Sequence, residues 1–164
     1  MTGPIKFDPE TDPIDVTLIA DQSRLGQCYC GFYYNYKWYV QVTLPGTQST
    51  IESFSTIDTE TGERTPISLT STKCIDLTHD YTNNAYGIYK GNSALATLDI
   101  NTGAVKKIGD FTDLAGNKFT MIALACDLDG QIYAVSTNNS FYKVNKTNGR
   151  VTLVGELGVD AAFD

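Results

Sequence analysis

The chain has 164 residues, with 12 basic and 19 acidic side chains and a formal net charge of −7. That length suits one domain with a sizeable core, and the acidic excess argues against nucleic acid or an anionic membrane as partner. No apolar run approaches the ~18 residues of a membrane span, and the start, MTGPIKFDPE, lacks the basic flank and apolar core of a secretory signal. If the chain is a truncated piece, a secreted or cell-surface location stays open.

The predicted elements are all strands. Residues 5–21, IKFDPETDPIDVTLIAD, read as two strands around a polar turn at 8–12, and VTLIAD at 16–21 answers VTLVGE at 151–156. A first full unit of four strands runs over 27–69, a second over 74–109 and a third over 121–157. Their first strands align Cys28 with Ile75 and Ile122, Cys30 with Leu77 and Leu124, and Phe32 with His79 and Cys126. On a period of two these positions share one face, which predicts buried free thiols at Cys28, Cys30 and Cys126. A CxC pair with Cys74 and Cys126 standing apart does not make a zinc ligand set, and no cofactor is expected.

Second strands carry Tyr39, Tyr86 and Tyr133 at a constant spacing of 47 residues, and third strands carry Phe54, Leu95 and Phe141 in register. A polar hairpin then closes each unit: IDTETGERTPIS at 57–68, LDINTGAVKKIG at 98–109 and VNKTNGRVTLVG at 144–155. Asp58, Asp99 and Asn145 can accept from backbone amides ahead of them, while Gly62, Gly103 and Gly149 take positive φ cheaply. The longer connections LPGTQST at 44–50 and DFTDLAGNKFT at 110–120 fall between strands, where added length costs little. After the third unit, VDAAFD at 159–164 restarts a first strand.

Four short antiparallel strands repeated at this spacing are the signature of a β-propeller. The D-x-x-T-G hairpin with its following V-x-x-I-G strand, and D-x-D-G-x-x-Y at 127–133, resemble bacterial YVTN-type and related propeller repeats over nearly the whole chain. The resemblance implies an all-β fold of consecutive four-stranded antiparallel meander blades, about three complete, with partial blades at both ends, as in a segment of a longer propeller. It does not imply one activity. Open blade edges would expose unpaired backbone, so self-association through them is expected.

Two groups of residues are candidates for function. The aromatic run FYYNYKWY at 32–39 puts Tyr34 and Tyr36 at a turn and Trp38 on a strand, where rings could stack on a sugar or grip a peptide. Asp76, His79, Asp80, Asp127 and Asp160 lie on or just after first strands, which line the axial channel of the propellers this chain resembles. Converging carboxylates and a histidine could do acid–base work or hold a metal, although Asp80 and Asp127 also suit turn initiation. The leading expectation is a non-catalytic binding module for a protein or carbohydrate ligand, using Tyr34, Tyr36, Trp38, Asp76 and His79. The rival is a metal-dependent hydrolase or lyase with an axial site, and a third reading is a purely structural part of a larger ring.

Overall fold

The computed structural model describes residues 5–20, 27–43, 52–82, 84–89, 91 and 93–158. The connection at 44–50 and the strand expected at 159–164, with Asp160, lie outside the described residues.

Among the described residues the chain forms strands and no helix. A short pair, β1 (Ile5–Phe7) and β2 (Val16–Leu18), is followed by three antiparallel meanders. Blade 1 comprises β3 (Gln27–Tyr34), β4 (Lys37–Thr43), β5 (Glu52–Asp58) and β6 (Arg64–Ser71). Blade 2 comprises β7 (Cys74–His79), β8 (Ala85–Tyr89), β9 (Ala94–Leu98) and β10 (Val105–Asp110). Blade 3 comprises β11 (Met121–Cys126), β12 (Ile132–Ser136), β13 (Ser140–Val144) and β14 (Val151–Glu156). The first strand of blade 2 touches the first strands of both neighbours, so the three sheets fan out from a shared inner edge.

The outer three strands repeat faithfully. Tyr39, Tyr86 and Tyr133 pair with Thr56, Thr97 and Lys143, the residue just before each hairpin's leading apolar side chain. Two positions along, Gln41, Ile88 and Val135 pair with Phe54, Leu95 and Phe141.

The closing hairpins are built by one local chemistry. Gly62, Gly103 and Gly149 donate to the carbonyls of Asp58, Asp99 and Asn145 at 2.8–2.9 Å. The side-chain oxygens of those residues accept the Glu60, Asn101 and Thr147 amides. The glycines have φ of +71°, +71° and +76°, a region costly for residues with a Cβ. They also sit where blades meet: a Cβ on Gly103 would come within 2.9 Å of the Phe54 Cβ, and one on Gly149 within 2.6 Å of the Gly109 carbonyl. Each hairpin thus docks on the outer strands of the preceding blade. Gly62 follows suit, facing Ala20 just beyond β2.

The core lies between blades. Cys30 and Phe54 on the back of blade 1 meet Cys74, Leu77, Ala85 and Leu98 on the front of blade 2. Tyr86, Ile88 and Leu95 on the back of blade 2 meet Met121, Leu124, Ile132 and Val144 of blade 3. Phe111, from the long connection after β10, is fully buried in that second seam.

First strands depart from the expected period. Each has a register shift, at Cys28/Cys30, Cys74/Leu77 and Met121/Ala123. A bulge inserts an unpaired residue and moves what precedes it to the other face. Cys74 and Met121 are therefore fully buried, while Ile75 is 40% exposed. The same shift leaves Cys28 exposed and, with Cys126 only half-buried, corrects the expectation of three buried thiols; Cys30 and Cys74 are the buried pair. The four cysteines are free, and burial pushes the Cys74 thiol up to about 12.

Candidate binding rim and the inner hairpins

The hairpins joining first to second strands differ from blade to blade. In blade 1, Tyr34 pairs with Lys37 across a two-residue turn. Its central residues, Asn35 and Tyr36, have φ of +48° and +61°, the conformation that matches strand twist in a tight hairpin. Asparagine tolerates that region, whereas tyrosine is strained there. Tyr36 lies at the tip, 81% exposed. Blades 2 and 3 instead form longer loops, closed by Asp80 N–H donating to the Asn84 carbonyl and Asp127 N–H to the Gln131 carbonyl.

Alternation separates the aromatic run into two faces. Phe32 and Tyr34 point to the seam with blade 2, where His79 stacks on Phe32 at 5.5 Å and meets Tyr34 at 4.3 Å. Tyr81 meets that imidazole edge-on at 5.2 Å and is 58% exposed. Trp38 pairs with Tyr33 and packs beside Val40, Val42 and Ile57 on the front of blade 1. A groove of about 350 Å³ runs there along Cys28, Tyr29, Tyr33 and Trp38. Tyr34, Tyr36 and His79 therefore belong to one end of the blade 1–blade 2 seam, and Trp38 does not join them. Tyr81 is a rim residue that the sequence did not single out, although it stands 47 residues after Tyr34, in the same place of the repeat, where blade 3 has Leu128.

His79 is 94% buried, with 6% of its surface exposed, and its Nε2 has no hydrogen-bond partner. Burial lowers its pKa, with the nearby Asp80 carboxylate opposing. It is held as a neutral ring in an aromatic stack.

The two carboxylates of blade 2 link it to blade 3. Asp76 accepts the Leu77 amide at 2.9 Å and the Leu124 amide of β11 at 2.7 Å. Burial nevertheless raises its pKa, those two bonds opposing. Asp80 is nearly fully buried and accepts from the Thr82 hydroxyl at 2.7 Å, the Tyr86 hydroxyl at 3.3 Å and Lys146 Nζ at 3.0 Å. Burial alone would raise it, but the Thr82 and Lys146 donors win and hold it far below the usual carboxylate range. Burial and the facing Asp80 push the Tyr86 hydroxyl up to about 12. Asp127 accepts the Asp129 and Gln131 amides of its own loop. Among the described residues no three His, Cys, Asp or Glu side chains are grouped to hold a metal ion.

A second buried polar residue, Gln41, pins the crossover between blades. Its Nε2 donates to the Thr72 carbonyl and its Oε1 accepts the Cys74 amide, both at 2.8 Å. The repeat gives no hint of it, since Ile88 and Val135 hold the equivalent places.

No known family matches this sequence, and none of the curated proteins does. Solved structures do match. A gluconolactonase from Xanthomonas campestris aligns over 93% of this chain and 55% of its own, with a TM-score of 0.60 and 8% identity. A luciferin-regenerating enzyme aligns over 87% and 51%, with a TM-score of 0.57 and 10% identity. A chain of a nidogen–laminin complex aligns over 80% and 47%, with a TM-score of 0.52 and 11% identity. These are β-propellers, and the three meanders are propeller blades. The chain spans about half the length of each of these three.

Proposed function

We propose that the chain is a non-catalytic binding module of propeller type, related to YVTN-type repeats. It engages a protein or carbohydrate ligand through a rim formed by Tyr34, Tyr36 and Tyr81 over His79. The observation that carries this reading is Tyr36, strained at φ +61° yet projecting its ring 81% exposed at a hairpin tip. A ring held there at 81% exposure, against backbone preference, adds little to packing. Tyrosines so arranged offer flat area at low entropic cost to sugar faces or peptide side chains.

The carboxylates speak against acid–base work at the inner edge. Asp76 and Asp80 spend their oxygens on the Leu124 amide and on Thr82, Tyr86 and Lys146, which makes them ties between blades.

A glycan and peptide array probed with the intact chain, then with Tyr34→Ala, Tyr36→Ala and Tyr81→Ala, tests the reading. Loss of about 1–2 kcal/mol of binding per ring, with Trp38→Ala unchanged, is the expected result. Binding that survives all three rim substitutions would remove the rim from function.

A further inference from the structure

The imidazole of His79 holds an acceptor that nothing among the described residues uses. A hydrogen bond with its own backbone raises the ring's pKa, as an N–H donating to a carbonyl does. Nε2 has no partner, so the donor is Nδ1 and Nε2 carries the lone pair. Packing does not ask for that nitrogen. The matching places in the other blades hold Phe32 and Cys126, and a phenylalanine would fill the same stack without stranding a polar atom. A buried acceptor left unpaired is unfavourable, which points to a donor that arrives with a ligand.

Three rings touch the imidazole: Phe32, Tyr34 and Tyr81. Phe32 and Tyr34 are half-buried, whereas Tyr81 is exposed and has a φ of +59°, so its ring has the least packing to lose. The surface at this end of the seam is acidic. The Thr59 hydroxyl donates to the Tyr36 carbonyl at 3.5 Å, which sets the closing hairpin of blade 1, with Asp58, Glu60 and Glu63, beside the Tyr34–Lys37 turn. Against these three carboxylates stands Lys37, which pairs with Asp58. Arg64 pairs with Ile57 on the front of blade 1, away from this seam. Asp80, next to His79 in the chain, is already matched by Lys146 at 3.0 Å. We propose that the rim binds an arginine side chain of a peptide or protein partner, whose guanidinium donates to His79 Nε2 and lies against the Tyr81 ring, turned aside to admit it. This inference rests on the rim reading above and narrows its ligand to a basic peptide. A guanidinium is a flat cation with N–H donors only, it stacks on tyrosine faces, and the hairpin carboxylates attract it. A sugar hydroxyl would also donate to Nε2, but it gains nothing from the acidic hairpin.

The test titrates N-acetyl-arginine methylamide into the intact chain at about pH 8, above the ordinary imidazole value of 6.5. The chain has a single histidine, so its nitrogen-15 resonances read the site directly. Nε2 should move upfield as its lone pair accepts a donor, Nδ1 should move less, and the Tyr81 ring protons should shift. The blocked citrulline, of the same shape but uncharged, should bind at least about fivefold more weakly. His79→Phe should weaken arginine binding by at least about fivefold, while Trp38→Ala, on the other face of blade 1, should leave it unchanged. Should His79→Phe fail to fold, the Nε2 shift and the citrulline comparison decide. An Nε2 resonance that arginine leaves in place, citrulline bound equally well, or undiminished affinity in a folded His79→Phe would each overturn the proposal. Rim-dependent binding of a glycan, with no response to arginine, would overturn it and leave the rim itself standing. Array binding that survives substitution of all three rim tyrosines would remove the rim and this inference together.

Discussion

The outer hairpins and the inner hairpins of this chain obey opposite rules. All three outer hairpins share one hydrogen-bond pattern, one positive-φ glycine and one docking partner on the preceding blade. No one pattern spans the inner hairpins: blade 1 turns on Asn35 and Tyr36, whereas in blades 2 and 3 Asp80 and Asp127 each accept the amides two and four residues on, the first buried and tied to its neighbours. Where a position repeats, packing of one blade on the next dictates it. Departures from the repeat leave room for recognition, and the exposed tyrosines are found there.

That contrast can be broken first at the outer hairpins, where the largest effects belong. Gly109→Ala would put a Cβ 2.1 Å from the Asn148 carbonyl, backbone against backbone. A loss of about 3 kcal/mol or more is expected in urea titrations, whereas Gly155→Ala, with nothing within 4 Å, should be near neutral. Equal costs for the two would mean that the blade 2–blade 3 seam is not as close as described. Next comes Asp80→Ala, which strips Lys146 and the Tyr86 hydroxyl of their common acceptor. Lys146 is one-third exposed, so about 2 kcal/mol is expected, short of the ~3–5 for a fully buried pair. The double variant with Lys146→Met should recover part of that loss.

Much of the outer scaffold could be read from sequence because its causes are local. An Asp or Asn whose side chain caps the next amides, followed by a glycine at positive φ, marks each closing hairpin within a few residues. The pairing of Phe54, Leu95 and Phe141 follows from alternation alone. First strands resisted, because a bulge at Tyr29, at Ile75–Asp76 or at Ile122 leaves no compositional trace and reverses the face of whatever precedes it. Separation hid other contacts. Asp80 and Lys146 lie 66 residues apart, Gln41 has apolar counterparts in its sister blades, and Phe111 comes from a stretch read as a loop. The aromatic run was visible at once, but its division into a Tyr34 face and a Trp38 face depends on a turn of only two residues.

Smaller effects sharpen the inner side of the comparison. The chain has one histidine, and His79 is held neutral by burial, below its ordinary value of 6.5. Unfolded chains then bind the extra proton first, so stability should fall as pH drops from about 7 through 6.5 toward the lower folded value. His79→Phe should flatten that slope. Asp76, whose pKa is raised by burial, drives stability the other way as it protonates. Carboxylates held low, such as Asp80, share the histidine's sign only as pH nears and passes below their ordinary value of 3.8, so a slope of the predicted sign well above that value belongs to the histidine. Smallest of all, Tyr36→Ala should change stability by no more than ~0.5 kcal/mol, while weakening ligand binding by about 1–2 kcal/mol.

The packing of one blade on the next can be tested most directly on the imidazole of His79, whose proton resonances are unique in this chain. Nuclear Overhauser contacts are predicted from its ring to the Phe32 and Tyr34 rings of blade 1, at centroid distances of 5.5 and 4.3 Å, and to Tyr81 at 5.2 Å. A histidine ring with contacts only inside its own sheet, or with none to Phe32, would contradict the stacking of successive blades.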